Sequence, residues 1–119
     1  MLFVDAMNVI GSRPDGWWRD RDKATRRLIQ EIREWAREEV TVVLDAGPDE
    51  LLGTVGFVTV VRAPRQGRNA ADDEIVRLLD DAQEAVVVTS DAQLAQRARA
   101  KGADVMGAGT FRSRLASPR

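Results

Sequence analysis

No cysteine, histidine or tyrosine occurs among the 119 residues of this chain. Without cysteine there is no disulfide, no thiolate metal site and no thiol nucleophile. Without histidine the commonest general base and the commonest zinc ligand are both missing. Any metal held here is held by oxygen, which selects hard ions such as Mg²⁺ or Mn²⁺. An excess of charge of one sign is missing too. The formal net charge is −1, which excludes a globally basic nucleic-acid binder but leaves room for a local basic surface. No apolar run approaches the length of about 20 residues that crosses a bilayer. The first apolar run begins at Leu2, which leaves no room for a signal peptide, so a cytoplasmic location is expected.

What is present is ordinary for a soluble domain, with 44% hydrophobic and 31% charged residues. The length fits a single domain over 1–119, large enough to bury a core. Short β-branched runs flanked by helical segments predict buried parallel strands at 2–4, 40–44, 57–61, 85–89 and 104–106. Between them, helices are expected over 22–38, 69–82 and 92–101, with a short last one over 110–115. In the first helix Leu28, Ile32 and Trp35 recur at spacings of four and three, which makes Trp35 a core residue. Gly102 is a natural left-handed stop for the third helix. Alternating strands and helices give an α/β fold around a parallel sheet. Numbering the five expected strands in chain order, the arrangement 3-2-1-4-5 puts the first strand at the centre.

Three of the apolar runs end on a carboxylate: Leu2–Val4 at Asp5, Val42–Leu44 at Asp45, and Val86–Ser90 at Asp91. With strand one central, these ends face one another at the sheet edge where open α/β folds bind ligands. Each aspartate also has a plainer explanation. Asp5 and Asn8, placed on a tight loop after strand one, would suit an Asx turn. Asp45, before Ala-Gly-Pro, would suit a turn, and Asp49 and Glu50 read as surface residues. Asp91 or Ser90 would cap the helix that follows. In Asn69-Ala-Ala-Asp72-Asp73-Glu74 a capping box explains the acids without function. Asp72, however, shares a helical face with Ile75, Val76 and Leu79 and so points at the sheet. Asp73 is the second choice there, and Glu74 is expected to face solvent. Unrelieved carboxylates repel by about 4 kcal/mol per pair at about 4 Å and an effective dielectric of about 20. A divalent ion shared by Asp5, Asp45, Asp72, Asp73 and Asp91 relieves that repulsion.

The segments Val4-Asp5-Ala-Met-Asn8-Val-Ile-Gly11, Leu44-Asp45, Asn69-Ala-Ala-Asp72-Asp73-Glu-Ile75 and Val88-Thr-Ser-Asp91 together resemble the NYN branch of the PIN-like nucleases. The similarity is closest to the YacP-like group of small bacterial RNases, covers nearly the whole chain, and is most specific in the opening D-x-x-N-x-I-G. The resemblance implies a PIN-like three-layer sandwich and a Mg²⁺- or Mn²⁺-dependent endoribonuclease. By matching positions it implies Asp5, Asp72 and Asp91 as metal-binding acids, with Asp45 assisting and Asn8 in the first-strand motif. Relatives often carry a further acid two residues after the equivalent of Asp91, where this chain has Gln93.

With no His, Cys or Tyr, metal-assisted hydrolysis of a phosphodiester is the economical chemistry. RNA, single-stranded or ribosome-associated, is the expected partner, and no membrane is. Arg65 and Arg68, in a loop with three arginines and no acid, are candidate phosphate contacts; Arg13 and Arg19 come next, and Ser90 lies beside the site. Trp17 and Trp18 are candidates for stacking on unpaired bases, although packing on the domain competes for at least one of them. Two other functions fit an acidic cluster at strand ends. One is a degenerate relative that binds RNA without cutting it. The other is a receiver-like phosphoryl-transfer module, which wants a late lysine beside the site, whereas Lys101 falls at the far end of its helix.

Overall fold

The computed structural model describes residues 1–64, 67 and 69–117. Its strands are β1 (Leu2–Asp5), β2 (Val40–Leu44), β3 (Gly53–Val55), β4 (Val58–Arg62), β5 (Val86–Val88) and β6 (Asp104–Met106). Its helices are α1 (Ala6–Gly11), α2 (Arg21–Trp35), α3 (Ala70–Leu79), α4 (Ala92–Ala100) and α5 (Ala108–Ala116). One sheet runs β3-β4-β2-β1-β5-β6. The five expected strands keep their relative order, but a sixth is added at the edge and the sheet is mixed rather than parallel. β3 pairs antiparallel with β4, with Thr54 opposite Thr59 and their hydroxyls 2.9 Å apart. All three β3 residues are exposed, so no buried run announced the strand. The turn that makes it rests on Gly56, whose φ of 59° is easy only for glycine.

Side chains alternate across the sheet and supply two cores, one on each face. Leu2 and Val4 with Val40, Val42, Val58 and Val60 pack under α1, α2 and α5, where Trp35 meets Phe111 edge to face at 5.5 Å. Phe3, Val43 and Val87 pack against Ile75 and Leu79 of α3 and Leu94 and Ala98 of α4. The result is helix, sheet, helix, the layering expected for a strand set rich in valine on both faces. Because Leu2 and Val4 face the first core, Asp5 is turned with Phe3 toward α3 and α4. Among the described residues no helix is long and apolar enough to cross a membrane.

One local expectation is corrected here. The segment after Asp5 is not a tight loop but the helix α1, which starts immediately after the strand with Asp5 as its N-cap residue. Ala6, Val9 and Ile10 are buried by it, and that burial makes a six-residue helix tenable.

Candidate metal and phosphodiester site

Asp5 ends the central strand, paired through β1 with β2 on one side and β5 on the other. Only 6% of its surface is exposed. Thr89, just past β5, donates its hydroxyl to Asp5 Oδ2 at 3.2 Å. That same hydroxyl oxygen accepts the Asp91 N–H at 3.1 Å, and Asp91 Oδ1 accepts the Leu94 N–H at 2.9 Å as the cap of α4. Across the gap, Asn8 Oδ1 accepts the Ser90 N–H at 2.6 Å, and Ser90 Oγ accepts the Ala108 N–H at 2.8 Å. These bonds tie α1, the 89–91 connection and α5 into one polar seam along the sheet edge.

Burial is the largest influence on Asp5, and with the Asp72 charge it pushes the carboxyl up to about 6. The Thr89 hydroxyl and the nearby Asn8 N–H pull the other way, and the Asp91 charge adds a smaller push upward. Asp72, half-buried on the first turn of α3, is also raised, by burial and then by Asp91, with Arg97 opposing. Three acids from three elements therefore feel one another. Among the described residues none of the three has an ion pair, whereas Asp73 pairs with Arg97 at 2.9 Å and Asp45 with Arg21 at 3.4 Å. Carboxylates withheld from water without a cation are costly unless something neutralises them.

The remaining expected residues take separate places. Asp73 is exposed and held outward by Arg97. Asp45 leans over the start of α2, and the charges acting on Asp5 are those of Asp72 and Asp91, not its own. Asn69 makes no side-chain cap, so the capping-box account of Asp72 does not apply. Asp91 does cap α4, so the plainer account holds for it alongside its effect on Asp5. Glu74 is corrected: it is buried, with both oxygens on the Arg77 guanidinium at 2.7 and 2.8 Å, where solvent was expected.

Arg13 is fixed to Glu31 by two hydrogen bonds of 2.9 and 3.0 Å. Trp17 packs on the first core, while Trp18 is 61% exposed. Lys101 pairs with Asp80 at 2.6 Å beyond the end of α4, which removes the lysine a receiver-like site requires. Arg65 and Arg68 lie outside the described residues. The seam through Thr89 was missed. Its signal was a hydroxyl two residues before an N-capping aspartate, a spacing that lets one oxygen serve both Asp5 and the helix start.

The donor set fits a hard cation in chemistry: three carboxylates, no nitrogen or sulfur, and no competing ion pair among the described residues. As the side chains stand, no group of three or more acids among the described residues is drawn into ligand spacing. Asp91 is turned to its cap, and Asp5 to Thr89.

No curated protein matches the chain. Solved structures similar to it include two of Rae1 (YacP) from Bacillus subtilis. The first aligns over 98% of this chain and 73% of the other at 26% identity, with a TM-score of 0.78. A mutant form of the same protein aligns over 97% of this chain and 74% of the other at 25% identity, with a TM-score of 0.77. The family model for the YacP-like NYN domain matches residues 2–118, nearly end to end. The chain thus belongs to the YacP-like NYN domain family.

Proposed function

We propose that the protein is a Mg²⁺- or Mn²⁺-dependent endoribonuclease that hydrolyses RNA phosphodiester bonds at Asp5, Asp72 and Asp91. The observation that carries this reading is Asp5 itself: a carboxylate at the end of the central strand, buried and pushed to about 6 by burial, Asp72 and Asp91. The family lies within a nuclease superfamily, which agrees with phosphodiester chemistry. Asp5, Asp72 and Asp91 are the residues that would hold the ion; Asp45 and Asp73 are engaged by Arg21 and Arg97. A hard divalent ion in such a group supplies charge neutralisation and Lewis acidity toward a phosphodiester.

The chain's own groups define the rest. Thr89 orients Asp5 while its oxygen receives the Asp91 N–H, so that hydroxyl is committed. Ser90 Oγ is committed to the Ala108 N–H. With Cys, His and Tyr absent and the Thr89 and Ser90 hydroxyls committed, water is taken as the nucleophile: its oxygen bonds to phosphorus, the P–O bond to the leaving ribose oxygen breaks, the attacking water gives a proton to solvent, and the leaving oxygen takes one from solvent. Asn8 holds the 89–91 connection by accepting the Ser90 N–H.

The test incubates the purified chain with single-stranded RNA and Mn²⁺, beside Asp5→Asn, Asp72→Asn and an EDTA arm. Cleavage confined to wild-type protein with metal supports the proposal. Equal cleavage by Asp5→Asn marks a contaminating nuclease and contradicts it. RNA binding without cleavage in every arm assigns the chain to the binding-only relatives instead.

A further inference from the structure

Beyond the acidic seam, at the far end of α1, lies a cavity of about 260 Å³ between that helix, the 3-10 turn Trp17–Arg19 and the start of α2. Four cations line it: Arg13, Arg19, Lys23 and Arg27. Two are spoken for, since Arg13 is held by Glu31 and Arg27 reaches Glu31 at 3.4 Å and Asp15 at 3.8 Å. Of the two acids on the lining, Asp15 faces Arg27, and Asp20 accepts the Lys23 N–H at 3.0 Å as the cap of α2. Arg19 and Lys23 have no carboxylate partner among the described residues. The Arg19 guanidinium instead lies 5.9 Å from the centre of the Trp18 ring, and that ring stands out in solvent, braced edge-on by Trp17 at 6.0 Å.

Two cations with no carboxylate partner among the described residues, and an exposed, braced indole beside a cavity, are the chemistry of a phosphate contact next to a stacking platform. An exposed Trp gains nothing by facing water, and holding Arg19 beside it leaves the guanidinium available to a second anion. We infer that this cavity is a strand-holding subsite for a single-stranded polynucleotide, with Trp18 stacking a base and Arg19 and Lys23 contacting phosphates. It rests on the nuclease reading only for its purpose. α1 carries Asn8 in its first half and Ile10 on the cavity wall, and six helical residues span about 9 Å. A strand lying along α1 would therefore reach both places. The arrangement also explains how a chain of net charge −1 holds a polyanion: it needs two cations at one spot, not a basic face.

The experiment measures binding of a fluorescent oligouridylate to the full chain in EDTA, where cleavage does not intervene, across a salt series. Trp18→Ala is expected to weaken binding about 5- to 150-fold. Arg19→Ala with Lys23→Ala is expected to flatten the slope of log affinity against log salt by about 1.4, two phosphates at about 0.7 each. The DNA counterpart binds within a few-fold, because neither contact reads the sugar, and a duplex binds more weakly because its bases are not free to stack. Circular dichroism melts of the variants confirm that they are folded. Unchanged affinity in Trp18→Ala together with an unchanged salt slope in the double variant overturns the subsite, even if cleavage at Asp5 is real. Duplex binding as tight as single strand overturns it as well. Weakened binding in the variants upholds it, even if no cleavage is ever observed.

Discussion

Asp5 carries an ionic cost that no ion pair among the described residues relieves and that the Thr89 hydroxyl and Asn8 N–H offset only in part. Its carboxyl sits at about 6 against an ordinary 3.8, raised by burial and then by Asp72. A folded-state value above the unfolded one means that Asp5 favours folding most below about pH 4 and loses that contribution as the pH climbs through about 6. The difference corresponds to about 3 kcal/mol at neutral pH, taken as an order of magnitude. Asp5→Asn keeps an oxygen for the Thr89 hydroxyl and removes the charge. In EDTA it is therefore expected to be more stable than wild type in urea melts at pH 7.5, by up to about 3 kcal/mol, with the advantage fading toward pH 4. A variant less stable than wild type at pH 7.5 would show that Asp5 is structurally required as an anion. Asp91 separates two roles within one residue. Asp91→Ser keeps an N-cap oxygen, whereas Asp91→Ala loses it, so the alanine variant is expected to be less stable than the serine variant by about 1 kcal/mol. Both drop the charge beside Asp72, so equal stability of the two would mean that the cap to Leu94 contributes nothing.

At the scale of elements, the seam makes a specific demand on α5. Its first N–H, that of Ala108, is bonded to Ser90 Oγ, and Ser90 is itself held by Asn8. Ser90→Ala removes that acceptor and is expected to destabilise the fold by about 1 kcal/mol. Amide exchange should quicken over 108–111 while α3 stays protected, and uniform exchange across both helices would deny the link. What the sequence disclosed about elements follows from where burial leaves a pattern. The valine runs of β2, β4 and β5, and the four-and-three spacing of Leu28, Ile32 and Trp35, were legible because both faces of the sheet and one stripe of α2 are buried. β3 was not legible, because Gly53, Thr54 and Val55 are all exposed and the strand is held by its pairing with β4 rather than by burial. α1 was not legible either. Six residues leave under two turns of periodicity, and Asp5 and Asn8 looked like turn formers while one ended a strand and the other sat inside a helix.

At the scale of the whole molecule, sheet order explains why acids at positions 5, 72 and 91 act on one another. β1 lies between β2 and β5, and the residue after β5 reaches back across to Asp5 through Thr89. That convergence could be argued from strand ends alone. Its membership could not. Asp45 directly follows the adjacent strand β2, yet its carboxylate pairs with Arg21 at the start of α2 rather than joining the three. Asp73 differs from Asp72 by one helical step, which carries it outward to Arg97. Glu74 shows the same limit in reverse, since a buried carboxylate was hidden by a partner three residues along its own helix. The central claim is that Asp5, Asp72 and Asp91 jointly hold one divalent ion, and titration calorimetry of Mn²⁺ into metal-stripped protein at pH 7.5 tests it most directly. The account predicts saturable binding that Asp5→Asn, Asp72→Asn and Asp91→Asn each lose or sharply weaken, and that Asp45→Asn retains. Binding that survives in all three variants, or the absence of any binding to wild type, would contradict it.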